Sequence, residues 1–142
     1  MVLGINPYIT LDGQGRDAIK FYEDAVDAKV AVVQTFGEMP ANPEYPLPTE
    51  AKDRILHALL KVGDNSLMIS DTFPGHADEV GAHVSIAIMI GSVEKSKQVY
   101  EKLQQGGQVK MPLQETFWSP SYGIVTDKFG VTWQISTEVA SK

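Results

Sequence analysis

Three histidines, His57, His76 and His83, and no cysteine make up the imidazole and thiol chemistry available to this chain. The missing thiols exclude disulfide frameworks, thiolate zinc sites, iron–sulfur clusters and a cysteine nucleophile in one count. Serines and threonines are plentiful, yet no Gly-x-Ser-x-Gly elbow occurs to activate one of them. Gly13-Gln14-Gly15 lacks the further glycine and lysine of a phosphate-cradling loop. What remains are single histidines and aromatics to be weighed one by one. His57 suits a base, a hydrogen-bond partner for a ligand, or a satisfied structural histidine. Trp118 and Tyr122 flank Ser119-Pro120, where an aromatic ring can stack on a planar ligand or pack against a neighbouring element. Asp71 precedes Thr72-Phe73-Pro74, a context that favours turn capping over catalysis, and His76 falls in the connection that follows.

The elements that must position these residues follow from periodicity. Gly4 to Leu11 reads as a strand. Ala18, Phe21, Tyr22, Ala25 and Val26 then recur at three and four residues, the apolar stripe of a helix whose other side carries Arg16, Lys20, Glu23 and Asp24. Val30 to Phe36 is a β-branched strand, and Met39 to Glu50 carries Pro40, Pro43, Pro46 and Pro48, a candidate lid or an insertion without a role. Ile55 to Val62 and Ser66 to Ser70 form two strands around the turn Gly63-Asp64-Asn65. Asp71 to Gly81 is a connection, after which the order restarts. Strand Val84 to Ile90 precedes helix Val93 to Gln105, which Ser92 can cap and Gly106-Gly107 can end. Strands Val109 to Gln114, Tyr122 to Asp127 and Val131 to Ser136 close the chain, the last two joined at Lys128-Phe129-Gly130.

Each half therefore has the order βαβββ. Phe21-Tyr22-Glu23 falls on Val99-Tyr100-Glu101 at an offset of 78, and Leu67-Met68-Ile69-Ser70 on Trp133-Gln134-Ile135-Ser136 at an offset of 66. Strand parity sorts the side chains into two faces. Ile5, Ile9 and Leu11 oppose Asn6, Tyr8 and Thr10; Val84, Ile86, Ile88 and Ile90 oppose His83, Ser85, Ala87 and Met89; Val131, Trp133 and Ile135 oppose Thr132, Gln134 and Ser136. Two helices cover one face of eight strands. The second face, polar or small rather than charged, suits a concave trough holding a ligand, or a solvated antiparallel sheet.

Composition bounds the setting. The 142 residues carry twelve Lys and Arg against eighteen Asp and Glu, a formal net charge of −6. The first 78 residues hold six basic and twelve acidic side chains and the remainder six of each, so no stretch builds the positive footprint that nucleic acid requires. The opening Met-Val-Leu-Gly-Ile-Asn-Pro has no basic region typical of an export signal, and no later apolar run approaches a membrane span. A cytoplasmic protein with neither nucleic-acid nor membrane partners is the expectation.

Asn-Pro-Tyr-Ile near the start, Ala-Ile-Lys-Phe-Tyr on the first helix, Leu-Met-Ile-Ser-Asp closing the first half and Asp-Lys-Phe-Gly-Val-Thr-Trp-Gln-Ile closing the second resemble the PhnB-like branch of the vicinal-oxygen-chelate superfamily. That superfamily includes glyoxalase I, extradiol dioxygenases, fosfomycin-resistance enzymes and bleomycin-binding proteins. The resemblance spans nearly the whole chain, and Asp-x-Phe-Gly-x-x-Trp is its most specific part. It implies one α+β domain over residues 1–142, with modules at about 1–72 and 82–138 forming a cup-shaped, mainly antiparallel eight-stranded sheet. The helices would lie on the convex side, in a homodimer.

In metal-dependent members, ligands come from the first and last strands of each module, which the resemblance carries onto Asn6, Met68, His83 and Gln134. Only His83 is a strong donor for a hard or borderline ion. Gln134 is tolerable, Asn6 weak, and Met68 offers a thioether. No cofactor is therefore expected, with a divalent metal as the alternative. The ligand-contacting residues are expected to be Tyr8, His57, His83, Trp118, Tyr122 and Gln134. The function implied is small-molecule binding, with lyase, isomerase, transferase or dioxygenase chemistry open. The alternative is a metal-free module that sequesters a drug-like, cationic guest.

Overall fold

The computed structural model describes residues 3–38, 47–72, 81 and 84–138. The elements are β1 (Tyr8–Leu11), α1 (Gly15–Ala25), β2 (Lys29–Thr35), β3 (Ile55–Val62), β4 (Asn65–Asp71), β5 (Ile86–Ile90), α2 (Val93–Gln104), β6 (Gln108–Gln114), β7 (Tyr122–Thr126) and β8 (Thr132–Thr137). They form two compact units, Met1–Glu79 and Val80–Lys142, each with the order βαβββ. The eight strands make two four-stranded mixed sheets, ordered β1-β4-β3-β2 in the first unit and β5-β8-β7-β6 in the second. In each unit the first strand pairs parallel with the last, and the remaining pairs are antiparallel. The duplication read from the sequence is thus a duplication of topology.

Strand ends depart from the periodicity where hydrogen bonding fails. β1 begins at Tyr8 instead of Gly4, because Pro7 has no N–H to contribute to a ladder, although its carbonyl accepts the Met68 N–H at 3.0 Å. Asn6 therefore precedes the strand, and parity does not assign it a face. β5 begins at Ile86, which pairs with Trp133 at the head of its ladder, so Val84 and Ser85 lead into the strand. β6 tolerates Pro112 because it is an edge strand, and its register shifts between Met111 and Gln114. Most of the Pro-rich segment, residues 39–46, lies outside the described residues; after it, Thr49–Ala51 forms a single 3-10 turn.

Alternation places one face of each sheet under its helix. In the first unit Ile9, Leu11, Ala58, Leu60, Leu67 and Ile69 are buried, and α1 lies against β2, β3 and β4 with Ala18, Ile19, Tyr22 and Ala25 buried. In the second, Ile90, Val125, Trp133 and Ile135 meet the buried stripe of α2, Ser96, Val99, Tyr100 and Leu103. Tyr22 and Tyr100, aligned by the offset of 78, are both buried, and burial pushes the Tyr100 phenol above its ordinary pKa.

The helix starts are secured differently. Ser92 caps α2, accepting the Lys95 N–H at 3.1 Å. No side chain of its own caps α1; instead the buried Asp71 at the end of β4 accepts the Gly13 and Gly15 N–H groups at 2.9 and 2.8 Å on Oδ1 and the Ile55 N–H at 2.8 Å on Oδ2. The carboxylate expected to cap its own following turn instead binds distant backbone amides, those at the start of α1 and at the start of β3. At the end of α2, Gly106 adopts φ +74° and Gly107 brings the backbone so close to β7 that a Cβ would collide with the Thr126 carbonyl oxygen.

Candidate functional site

With the helix faces buried, the chemistry-bearing side chains project from the opposite, open face of each sheet. In the first unit, the cross-strand partners Tyr8, Met68, Leu59 and Val32 make one row of this face. Thr10 pairs with Ser70, and Gln34 with His57. The Tyr8 hydroxyl reaches His57 Nδ1 at 3.5 Å, with ring centroids 6.0 Å apart. The arrangement leaves Nε2 of the half-buried imidazole outside that contact.

In the second unit the open-face positions are Ala87 and Met89 on β5, Thr132, Gln134 and Ser136 on β8, Tyr122, Ile124 and Thr126 on β7, and Gln108, Met111 and Gln114 on β6, matched by cross-strand pairing. None is charged. Tyr122 donates its hydroxyl to Gln134 Oε1 at 2.6 Å, and Gln134 Nε2 donates to Ser85 Oγ at 2.8 Å. The two bonds define the orientation of the amide. Trp118 packs edge-to-face with Tyr122, centroids 5.2 Å apart and planes at 72°, and Phe117 does the same with Trp118 at 4.8 Å and 85°.

The structure therefore brings Tyr8 together with His57, and Trp118 and Tyr122 together with Gln134. His83 and His76 lie outside the described residues. Two contributors escaped the sequence reading as site residues. Ser85 was assignable to the polar face but not to Gln134, since the contact joins positions 49 residues apart. Phe117 left one signal, a second large aromatic beside Trp118 within a Ser, Thr and Pro-rich segment.

The donors described do not fit a hard divalent ion. Asn6 is exposed ahead of β1, Met68 presents a thioether, and Gln134 has its carbonyl oxygen engaged by a phenol. Among the described residues, no three His, Cys, Asp or Glu side chains come together as a metal site. Likewise among the described residues, no helix is long and apolar enough to cross a membrane.

The model of the Glyoxalase/Bleomycin resistance protein/Dioxygenase superfamily matches residues 4–135. The chain belongs to that superfamily. Among its relatives, Protein YjdN of Escherichia coli (strain K12) is 33% identical over 139 residues, covering 93% of each chain. Protein PA1353 from Pseudomonas aeruginosa has a crystal structure that superposes with a TM-score of 0.85 at 34% identity, over 98% of this chain and 100% of that one. The PhnB protein from Bacillus cereus shares the fold with a TM-score of 0.77 at 23% identity, over 94% of this chain and 98% of that one. The twofold βαβββ topology is the superfamily's fold, and the uncharged open face of the second unit is built from this chain's own residues.

Proposed function

We propose that this superfamily member binds a small organic molecule at the open faces of its sheets. Tyr8 and His57 would be contacts in the first unit, and Trp118, Tyr122 and Gln134 in the second. The observation that carries the reading is the Tyr122–Gln134–Ser85 chain on an uncharged face beside an exposed indole. A few well-placed hydrogen-bonding groups among apolar and aromatic neighbours are the usual composition of a small-molecule site. Five of the twelve acidic side chains in the first 78 residues lend a cationic guest no support. Asp12 pairs with Arg54 at 3.0 Å, Asp71 is committed to three backbone amides, and Asp17, Glu23 and Asp24 lie exposed on α1.

Binding in this reading is independent of metal. In a thermal-shift screen run with EDTA and with Mn, Zn or Ni, an organic ligand at roughly a hundred times its Kd is expected to raise Tm by several degrees in both arms. Stabilisation by a divalent ion alone, lost on replacing His83 with Ala, would overturn the metal-free reading. A screen without a stabilising organic molecule would count against small-molecule binding itself.

We also infer a homodimer. β2 and β6 are edge strands, and Val30, Val32 and Val33 on β2 are exposed, leaving apolar side chains beside unpaired backbone groups. A second copy would cover such an edge without introducing a different partner. Sedimentation at micromolar concentration should return twice the 15.5 kDa chain mass, and Val32→Lys should shift the population towards monomer. A wild-type monomer at that concentration contradicts the inference.

A further inference from the structure

The second unit narrows the class of molecule its open face would take, an inference that rests on the small-molecule reading above. Phe117 and Trp118 occupy the bend between Thr116 and Ser119, 98% and 55% exposed. Exposed bends ordinarily carry Gly, Asn, Asp, Ser or Pro, whose backbones and short polar side chains suit them. This bend is closed without its aromatics: the Thr116 N–H donates to the Ser119 carbonyl at 2.9 Å and the Ser119 N–H to Thr116 Oγ1 at 3.1 Å. It is also tied to β8, because the buried Ser119 hydroxyl oxygen accepts the Thr137 N–H at 3.1 Å and the Ser121 N–H at 3.2 Å. Polar groups hold the loop, so the two rings are presented on a fixed support. Ring contacts then connect Trp118 to Tyr122 and hence to the open face.

The hydrogen-bond chain has definite capacity left over. Tyr122 commits its single hydroxyl hydrogen to Gln134, which leaves the phenol oxygen as an acceptor. Gln134 commits one amide hydrogen to Ser85, which leaves its second amide hydrogen and the Ser85 hydroxyl hydrogen as donors. One acceptor thus lies beside two donors at the foot of an aromatic platform. Because the open-face positions paired around Gln134 are uncharged, an ionised group brought onto them would lose water without gaining a counter-charge.

We infer that this face takes an uncharged planar ring bearing an adjacent N–H and C=O, the edge of a lactam. The ring stacks on Trp118, the carbonyl accepts from Gln134 and Ser85, and the N–H donates to the Tyr122 oxygen. The test titrates the full chain, in EDTA, with 1H-quinolin-2-one, its N-methyl derivative, piperidin-2-one and quinoline-2-carboxylate. The two indole N–H signals are followed by NMR. Trp118 reports on the platform, while Trp133, 3% exposed and donating to Asp127 Oδ2 at 2.9 Å, is the internal reference.

Quinolin-2-one should move the Trp118 signal and leave Trp133 in place. The N-methyl derivative, which cannot donate, and piperidin-2-one, which has no aromatic ring to stack, should each bind about tenfold or more weaker. Trp118→Ala should weaken quinolin-2-one by a similar factor, Gln134→Leu should weaken the parent and the N-methyl derivative alike, and Tyr122→Phe, which removes the acceptor, should reduce the parent's advantage over the N-methyl derivative. Equal affinity for the parent and N-methyl compounds, or undiminished binding to Trp118→Ala, would overturn the inference. Binding of the carboxylate alone at Tyr122 and Gln134 would refute the lactam class and leave the small-molecule reading intact. Failure of all four would refute the class, and with an unresponsive broader screen the small-molecule reading as well. An indole that acrylamide cannot quench in the wild-type protein would place the bend in an interface and overturn the proposal.

Discussion

Replacing Asp71 with Ala is expected to destabilise the protein by roughly 3–5 kcal/mol, which for a chain of this size lowers Tm by on the order of 10 °C. Three backbone N–H groups converge on this one buried carboxylate, from Gly13, Gly15 and Ile55. Hydrogen bonds to a charged acceptor are each worth about 1.5–3 kcal/mol, and water can partly replace the bond to Gly13 but less readily those to Gly15 and Ile55. The site also lies at the amino end of α1, where the helix dipole favours negative charge. Asp71→Asn separates shape from charge. An amide can keep Oδ1 as the acceptor for the two glycines, but it turns an NH2 group towards the Ile55 N–H, so roughly half the loss should remain. Chemical denaturation measures both variants. A change below about 1 kcal/mol for Asp71→Ala would show that the carboxylate does not secure α1 to β3 and β4.

The second unit joins helix to strand with different chemistry at the corresponding place. The offset of 66 sets Thr137 opposite Asp71, and the offset of 78 sets Ser96 opposite Ala18. Their hydroxyls, both buried, meet at 2.5 Å. Element order was readable because strand alternation and helix periodicity are local properties, and the sides of the open faces followed from that alternation. Three-dimensional partnerships were not readable in the same way. Nothing local marks Ser85 as the partner of Gln134, or Ile55 as a donor to Asp71, since each pairing depends on how distant strands align. Asn6 shows the converse error: parity was extended through Pro7, whose missing N–H ends the ladder on which parity depends.

The block that most resembled the superfamily, Asp127 to Trp133, turns out to build the fold of its hairpin. Asp127 Oδ1 accepts the Phe129 and Val131 N–H groups at 2.9 and 3.1 Å, and Oδ2 accepts the Trp133 indole N–H at 2.9 Å. Its backbone N–H donates to the Val131 carbonyl at 2.8 Å, and Gly130 supplies φ +87° to close the turn. The signature residues therefore serve the turn, while the adjacent open face begins only with Gln134.

The corresponding expectation is a double-mutant cycle with strong coupling. Asp127→Ala should cost roughly 3–4 kcal/mol, because a buried acceptor is removed from three donors. Trp133→Phe should cost about 2–3 kcal/mol through the lost indole bond and reduced packing under α2. Each single variant already breaks the carboxylate–indole bond, so the double variant should fall short of the summed losses by about 1.5 kcal/mol or more. Urea denaturation of the four proteins supplies the cycle, and Gln134→Leu serves as a neighbouring variant outside it. Losses for Asp127→Ala and Trp133→Phe that add to within about 0.5 kcal/mol would mean that the bond carries no cooperative energy. The shape of the hairpin would then have to come from the two backbone donors at Phe129 and Val131.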